Sequence, residues 1–158
     1  PTMNGTKIIS YKLGGKNVTN DAGQFVKELW AAWNSHDWQK TSLFYADDCI
    51  MEDLPSRICH GKRELEAYYK DLLLGYPDLN FAAKNCFSSG NQIVATEWMM
   101  SGTQTRNSPR FKATGKRFSI PAVSILEIQG GKITRETDYW GMHSLLRQLG
   151  IMPSMGQK

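Results

Sequence analysis

Residues 115–140 read GKRFSIPAVSILEIQGGKITRETDYW. From Lys116 to Ile128, alternate positions carry Phe118, Ile120, Ala122, Ser124, Leu126 and Ile128, the period of a strand with one face turned to a core. Ser124 is the one polar member of that row. Val123 and Ile125 lie on the opposite side, so the strand is apolar on both faces at its middle, which suggests that the back of its sheet is covered, by a second copy of the chain. Gly130-Gly131 suits a two-residue hairpin turn, and a second strand returns from Lys132 to Trp140. In that second strand neither alternating row is plainly apolar. Asp138 and Trp140, two residues apart, point the same way; if the indole faces an apolar cavity, so does the carboxyl.

Working outward, period-two segments at Leu79 to Phe87 and Gln92 to Gly102 extend the hairpin into an antiparallel meander, and Val94, Thr96, Trp98 and Met100 share one side. A short strand is expected at Cys49 to Asp53. Upstream the period changes to that of helices. Asn20 or Asp21 can cap a helix, Gln24 being placed to complete a capping box from Asp21, and Phe25, Val26, Leu29, Trp30 and Trp33 follow at helical spacing. A short helix follows Asp37, with Trp38 and then Leu43-Phe44 turned inward. A third helix spans about Arg63 to Leu74, its stripe formed by Leu65, Tyr68, Tyr69, Leu72 and Leu73, and Gly75 and Pro77 stop it. Helices first and a meander after imply an α+β fold, with helices packed on one face of a curved sheet. Residues 1–19 read as a tail with a short strand near Lys7 to Leu13, residues 20–152 as one domain and 153–158 as a second tail.

The 158 residues suit a single domain that needs no metal or disulfide staple. Five Trp, six Tyr, six Phe and seven Met are enough to fill a core or to line a greasy cavity. The net charge of +4 is concentrated in Arg106, Arg110, Lys112, Lys116 and Arg117, a stretch without an acid. That run is the solvated end of a hairpin or a lure for an anionic substrate, a coenzyme A thioester or an acyl carrier protein, and nothing else resembles a nucleic-acid-binding stripe. Cys49, Cys59 and Cys86 are odd in number and fit no metal spacing, so reduced thiols and a cytoplasmic location are expected. No apolar run reaches the length of a membrane span, and no metal, nucleotide or serine-hydrolase motif occurs.

Two acids are candidates for chemistry. An apolar surrounding disfavours a carboxylate's charge and raises its pKa toward the range useful for proton transfer, which makes Asp138 a candidate general acid or base. The competing reading pairs Asp138 with Arg135 or Lys132 in solvent. Asp53, at the end of the short strand, is the second candidate, against its reading as a loop acid that prepares the turn at Pro55.

Several of these residues carry a resemblance. The order helix, helix, strand, helix, meander resembles the cone-shaped fold of the nuclear transport factor two superfamily. YADDCIMED at 45–53 and HGKRELEAYY at 60–69 are similar to ketosteroid isomerases. The 115–140 stretch, with LLRQLG at 145–150, resembles the SnoaL-like polyketide cyclases, and together the matches cover about residues 24–150. The resemblance implies that Asp138 stands where the cyclases hold their catalytic acid/base Asp, and Asp53 where the isomerases hold a proton-shuttling Asp. Ser124 replaces a pocket His of the cyclases and an oxyanion-hole Asp of the isomerases, and the isomerases' oxyanion Tyr falls near Leu29. Trp98, Met100 and Trp140 match cavity-lining positions, and Met51 replaces a polar one.

The function so implied is that of a cofactor-free acid/base enzyme, cyclase or isomerase in type, acting on a hydrophobic polyketide-like or polycyclic carbonyl compound. Asp138 would move the proton, Ser124 or a water would hold the enolate, and Trp98 and Trp140 would stack on the substrate, in a homodimer or higher oligomer with no metal, membrane or nucleic-acid partner. The alternative is a non-catalytic binding module for small hydrophobes, using the same cavity; hydrolase or dehydratase chemistry is a further variant.

Overall fold

A computed structural model of the chain describes residues 7–8, 19–89, 92–107 and 111–152. The elements run β1 (Lys7–Ile8), α1 (Thr19–Asn34), α2 (Trp38–Ser42), β2 (Tyr45–Asp53), β3 (Arg57–His60), α3 (Gly61–Gly75), β4 (Asn80–Ser89), β5 (Ile93–Thr103), β6 (Arg117–Gln129), β7 (Lys132–Trp140) and α4 (Met142–Leu149). One seven-stranded sheet holds them in the order β1-β4-β5-β6-β7-β2-β3. The meander from β4 to β7 is antiparallel. β2 joins β7 in parallel, as β1 joins β4, so the sheet is mixed. This is the α+β architecture expected from the sequence.

α1 begins at Thr19, two residues before the expected cap at Asp21, whose side chain lies outside the described residues; Gln24 reaches Glu28 instead, Nε2 to Oε1 at 2.6 Å. α2 starts as expected, with Asp37 accepting from the backbone N–H groups of Gln39 and Lys40. α3 starts at Gly61, where φ is +73° and an added Cβ would lie 3.0 Å from the Asp47 carbonyl, so glycine is required. β3 and α4 are two elements that the sequence pattern leaves unread. Of the strand expected near Lys7 to Leu13, Lys7 and Ile8 are described and the rest lies outside the described residues.

Aromatic contacts hold the helices on the sheet. Trp30 of α1 stacks on Phe81 of β4, ring centroids 5.3 Å apart, and leans on Trp98 of β5 at 5.0 Å. Trp33 meets Tyr69 of α3 at 5.1 Å. Asn34 then pins α1 to the backbone of Phe81 with two hydrogen bonds of 2.8 and 2.7 Å. Each large side chain hidden in this way contributes about 1.5–3 kcal/mol of transfer free energy. α4 adds Leu145 and Leu149 to the same core.

In β6 the row Phe118, Ile120, Ala122, Ser124, Leu126, Ile128 is buried throughout. The opposite face keeps Val123 and Ile125 half-buried, and Ile93 and Tyr139 are about half exposed there. β7 departs from simple alternation. Glu127 pairs with Arg135, but Ile128 pairs with Ile133, so Thr134 is an extra residue, a β-bulge. The bulge exchanges the parity of the strand: Ile133 points inward ahead of it, and Glu136, Asp138 and Trp140 point inward after it. Neither alternating row is apolar because each faces the core for only part of its length.

Among the described residues no helix is long and apolar enough to cross a membrane, and no three His, Cys, Asp or Glu are grouped to hold a metal ion. All three cysteines are free and buried. Arg106, Lys112, Lys116 and Arg117 are exposed, and Arg110 lies outside the described residues.

Candidate active site

The inner face of the sheet carries a transverse row of polar residues at one level. Ser124 of β6 is paired with Asp138 of β7, which is paired in turn with Asp53 of β2. One level along, Glu136 is paired with Met51, and on the other side Trp140 with Ala122. Asp53, Glu136 and Asp138 all reach one cavity of about 90 Å³, room for several waters. The rest of its wall is mainly apolar and includes Met51, Trp98, Met100 and Trp140, with Met142 and Leu145 contributed by α4.

Six of the seven residues singled out from the sequence therefore line a single cavity. The seventh, Ser124, is fully buried behind it. Its hydroxyl accepts from Trp98 Nε1 at 2.8 Å and donates to Asp138 Oδ1 at 2.5 Å. Because an indole N–H can only donate, the single Ser124 proton is directed to Asp138. Ser124 thus holds Asp138 and does not present its proton to a substrate oxygen.

Each neighbouring carboxyl is held in a comparable way. Glu136 Oε2 accepts from the Tyr45 hydroxyl at 2.7 Å, and that hydroxyl accepts from Trp33 Nε1 at 3.0 Å. Asp53 Oδ1 accepts from Trp140 Nε1 at 2.6 Å, and its Oδ2 accepts from the Tyr68 hydroxyl. Burial, reinforced by the adjacent carboxylates, raises Tyr45 and Tyr68 well above the usual phenol range, so both remain donors.

Glu136 and Asp138 are neighbours on the same face of β7 and share the cavity wall. Neither forms an ion pair with Lys or Arg among the described residues. Loss of hydration on burial, then repulsion between neighbouring carboxylates, raises Asp138 well above the usual carboxylate range. Glu136 is raised too, chiefly by burial, while the hydrogen bond from Tyr45 opposes the shift. The cation partners open to Asp138 in the solvated reading are engaged elsewhere. Arg135 points outward and pairs with Glu52 at 2.7 Å, and Lys132 donates to the Leu43 carbonyl.

Glu136, Tyr45 and Tyr68 are site residues that the sequence reading missed. A signal existed for the tyrosines: a phenol in an otherwise apolar stripe needs a partner for its hydroxyl. Glu136 shares a parity row with Asp138 and Trp140, but it is flanked by Arg135 and reads as a solvated acid until the bulge is known.

A family model for SnoaL-like polyketide cyclases matches residues 21–149. The chain belongs to the SnoaL-like polyketide cyclase family. Solved structures agree with this SnoaL-like fold. AclR from Streptomyces galilaeus, a candidate hydroxylase, is 22% identical over 87% of this chain and 85% of its own, with a TM-score of 0.75. A candidate SnoaL-like polyketide cyclase from Jannaschia sp. CCS1 is 12% identical, covers 90% of this chain and 100% of its own, and has a TM-score of 0.76. A protein with a ketosteroid isomerase-like fold from Catenulispora acidiphila, solved with trimethylamine, is 19% identical over 85% and 98% of the two chains, with a TM-score of 0.71. At these identities the structural likeness establishes the fold of the SnoaL-like chain and not its chemistry. No curated protein matches the sequence significantly.

Proposed function

We propose that this SnoaL-like protein is a cofactor-free acid/base enzyme, cyclase or isomerase in type, acting on a hydrophobic polyketide-like or polycyclic carbonyl compound. The observation that carries the reading is the place of Asp138: a carboxyl on the wall of a mostly apolar cavity, with no Lys or Arg ion pair among the described residues, where loss of hydration favours its protonated form. In its ionised state Asp138 removes a proton α to the substrate carbonyl and returns it to the product. Asp53, held by Trp140 and Tyr68, is a second carboxyl in the same cavity and serves as a relay or as the charge that keeps a proton nearby. Met51, Met100 and the rings of Trp98 and Trp140 supply the apolar surface against which the substrate lies. The partly apolar outer face of β6 supports assembly as a homodimer, and three reduced thiols support a cytoplasmic setting.

A general acid/base contributes about 10²–10⁴-fold to rate. Asp138→Asn, with its fold checked by circular dichroism, therefore loses turnover by that factor on a ketone substrate. Undiminished turnover in that variant overturns the assignment.

The commitment of the Ser124 proton to Asp138 favours a second reading, a carrier of small hydrophobes without chemistry, since that hydroxyl cannot also stabilise an enolate oxygen. Native mass spectrometry of protein from its own host separates the two. A single unchanged hydrophobe supports the carrier, and a substrate–product pair supports the enzyme.

A further inference from the structure

Glu136 is a buried carboxyl in the cavity that neither the sequence motifs nor the proposed proton transfer accounts for. It is 2% exposed and lines the same cavity as Asp138. The bulge at Thr134 places both side chains inward, two residues apart on the same face of β7 and on the wall of one cavity. The titratable groups around the two are Tyr45, Cys49 and Asp53 of β2, Tyr68 of α3, and each other. The cavity wall also carries Arg57 of β3 and Asp71 of α3, and these two pair with each other at 3.0 Å, so the Arg57 charge is already matched. Two carboxylates in such a place repel, and a hydrogen bond between two carboxyl oxygens requires a proton on one of them.

We propose that Glu136 and Asp138 hold one proton between them, and that Glu136, by taking that proton, leaves Asp138 free to act as a base. The surrounding hydrogen bonds fit such an exchange. Tyr45 donates to Oε2 of Glu136 and Ser124 to Oδ1 of Asp138, so each carboxyl has one oxygen anchored by a hydroxyl and one left for its neighbour or for the cavity. The proton crosses from one free oxygen to the other without a change in the number of donors around either group. With the proton on Asp138, the pair presents an acid to the cavity; with the proton on Glu136, it presents a base. Glu136 is in this sense a positioning residue that acts through Asp138. The kinetic consequence rests on the reading of Asp138 as the proton carrier, whereas the shared proton itself does not.

Glu136→Gln tests the sharing, because glutamine keeps the geometry. Its amide oxygen still accepts from Tyr45 and its NH₂ donates to Asp138, imitating Glu136 with the proton on it. The measurement is a pH titration of side-chain carboxyl carbons by NMR in protein labelled with ¹³C at aspartate and glutamate, with no substrate present. The wild-type pair titrates in two coupled steps. In Glu136→Gln, Asp138 titrates in one step, about one to three pH units lower. Asp138→Asn provides the reciprocal arm, in which Glu136 titrates lower by a similar amount and in a single step. A purely structural Glu136 would leave the Asp138 midpoint where it is, and that result overturns the proposal; so does an unmoved Glu136 midpoint in Asp138→Asn, should the glutamine variant fail to fold.

The two readings fail separately. A moved midpoint with undiminished turnover in Asp138→Asn leaves the shared proton and removes the enzyme assignment. An unmoved midpoint with lost turnover does the reverse.

Discussion

The Ser124 hydroxyl donates to Asp138 Oδ1 at 2.5 Å while accepting from Trp98 Nε1 at 2.8 Å. This arrangement fixes both the rotamer of Asp138 and the direction of its hydrogen bond. Ser124→Ala removes the hydroxyl, leaves the indole N–H of Trp98 without an acceptor in the core and takes a donor from Asp138. The expected cost is about 1–3 kcal/mol in urea unfolding. The hydrogen bond favours the charged carboxylate, so its loss raises the Asp138 pKa further, and the acid limb of a base-dependent rate profile moves to higher pH. An acid limb that stays in place or moves to lower pH contradicts this assignment of the Ser124 proton.

The raised carboxyls also couple stability to pH. Glu136 is pushed up to about 7 and Asp138 is raised as well, whereas in the unfolded chain both titrate near the usual ~4. Between those values the folded state binds more protons than the unfolded state, so stability falls as pH rises from about 4 to about 7. Asp138→Asn removes one of these raised carboxyls, the half-buried one. It is expected to melt higher than wild type at pH 8, with a gain on the order of 1–3 kcal/mol, and to lose that advantage at pH 4. Thermal unfolding at the two pH values measures the difference, and an equal effect at both contradicts the assignment.

Burial also governs the thiols. Cys49 and Cys59 are each pushed up to about 11 and Cys86 is raised, in every case first by loss of hydration. A thiol held protonated and covered is a poor nucleophile. Treatment of the native protein with a disulfide reagent at pH 8 is expected to label none of the three within minutes, and unfolding in guanidinium to release all three. Rapid labelling of native protein would show that one of these sites opens.

The sequence made much of the fold legible because the governing patterns are local. Phe118 to Ile128 alternate without interruption, and Leu65, Tyr68, Tyr69, Leu72 and Leu73 keep helical spacing. Gly130-Gly131 mark the hairpin turn. The Asp138–Trp140 register could likewise be read from two residues. What escaped depends on pairing between distant strands. The bulge at Thr134 exists because β6 and β7 slip by one residue, and no local pattern in β7 declares it. Glu136 shares the parity of Asp138 and Trp140, but between Arg135 and Thr137 it has the local pattern of a solvated acid. Tyr45 meets Glu136 across 91 positions in the chain, through the parallel pairing of β2 with β7, a joint that a meander alone does not predict.

The hydrogen-bond chains behind the carboxyls have an implication for the traffic of hydrogen ions. A chain conducts protons only if each member can release one while receiving another. Trp33 ends the chain behind Glu136 and Trp98 ends the chain behind Asp138, and an indole nitrogen does not give up its hydrogen in the working range of a protein. Both chains are therefore culs-de-sac. They orient the carboxyls but offer no drain through the protein wall, which leaves the cavity opening as the route by which these two groups equilibrate with water. A ligand that plugs the opening isolates them, and a hydrogen ion taken from that ligand then has the ligand itself as its principal destination.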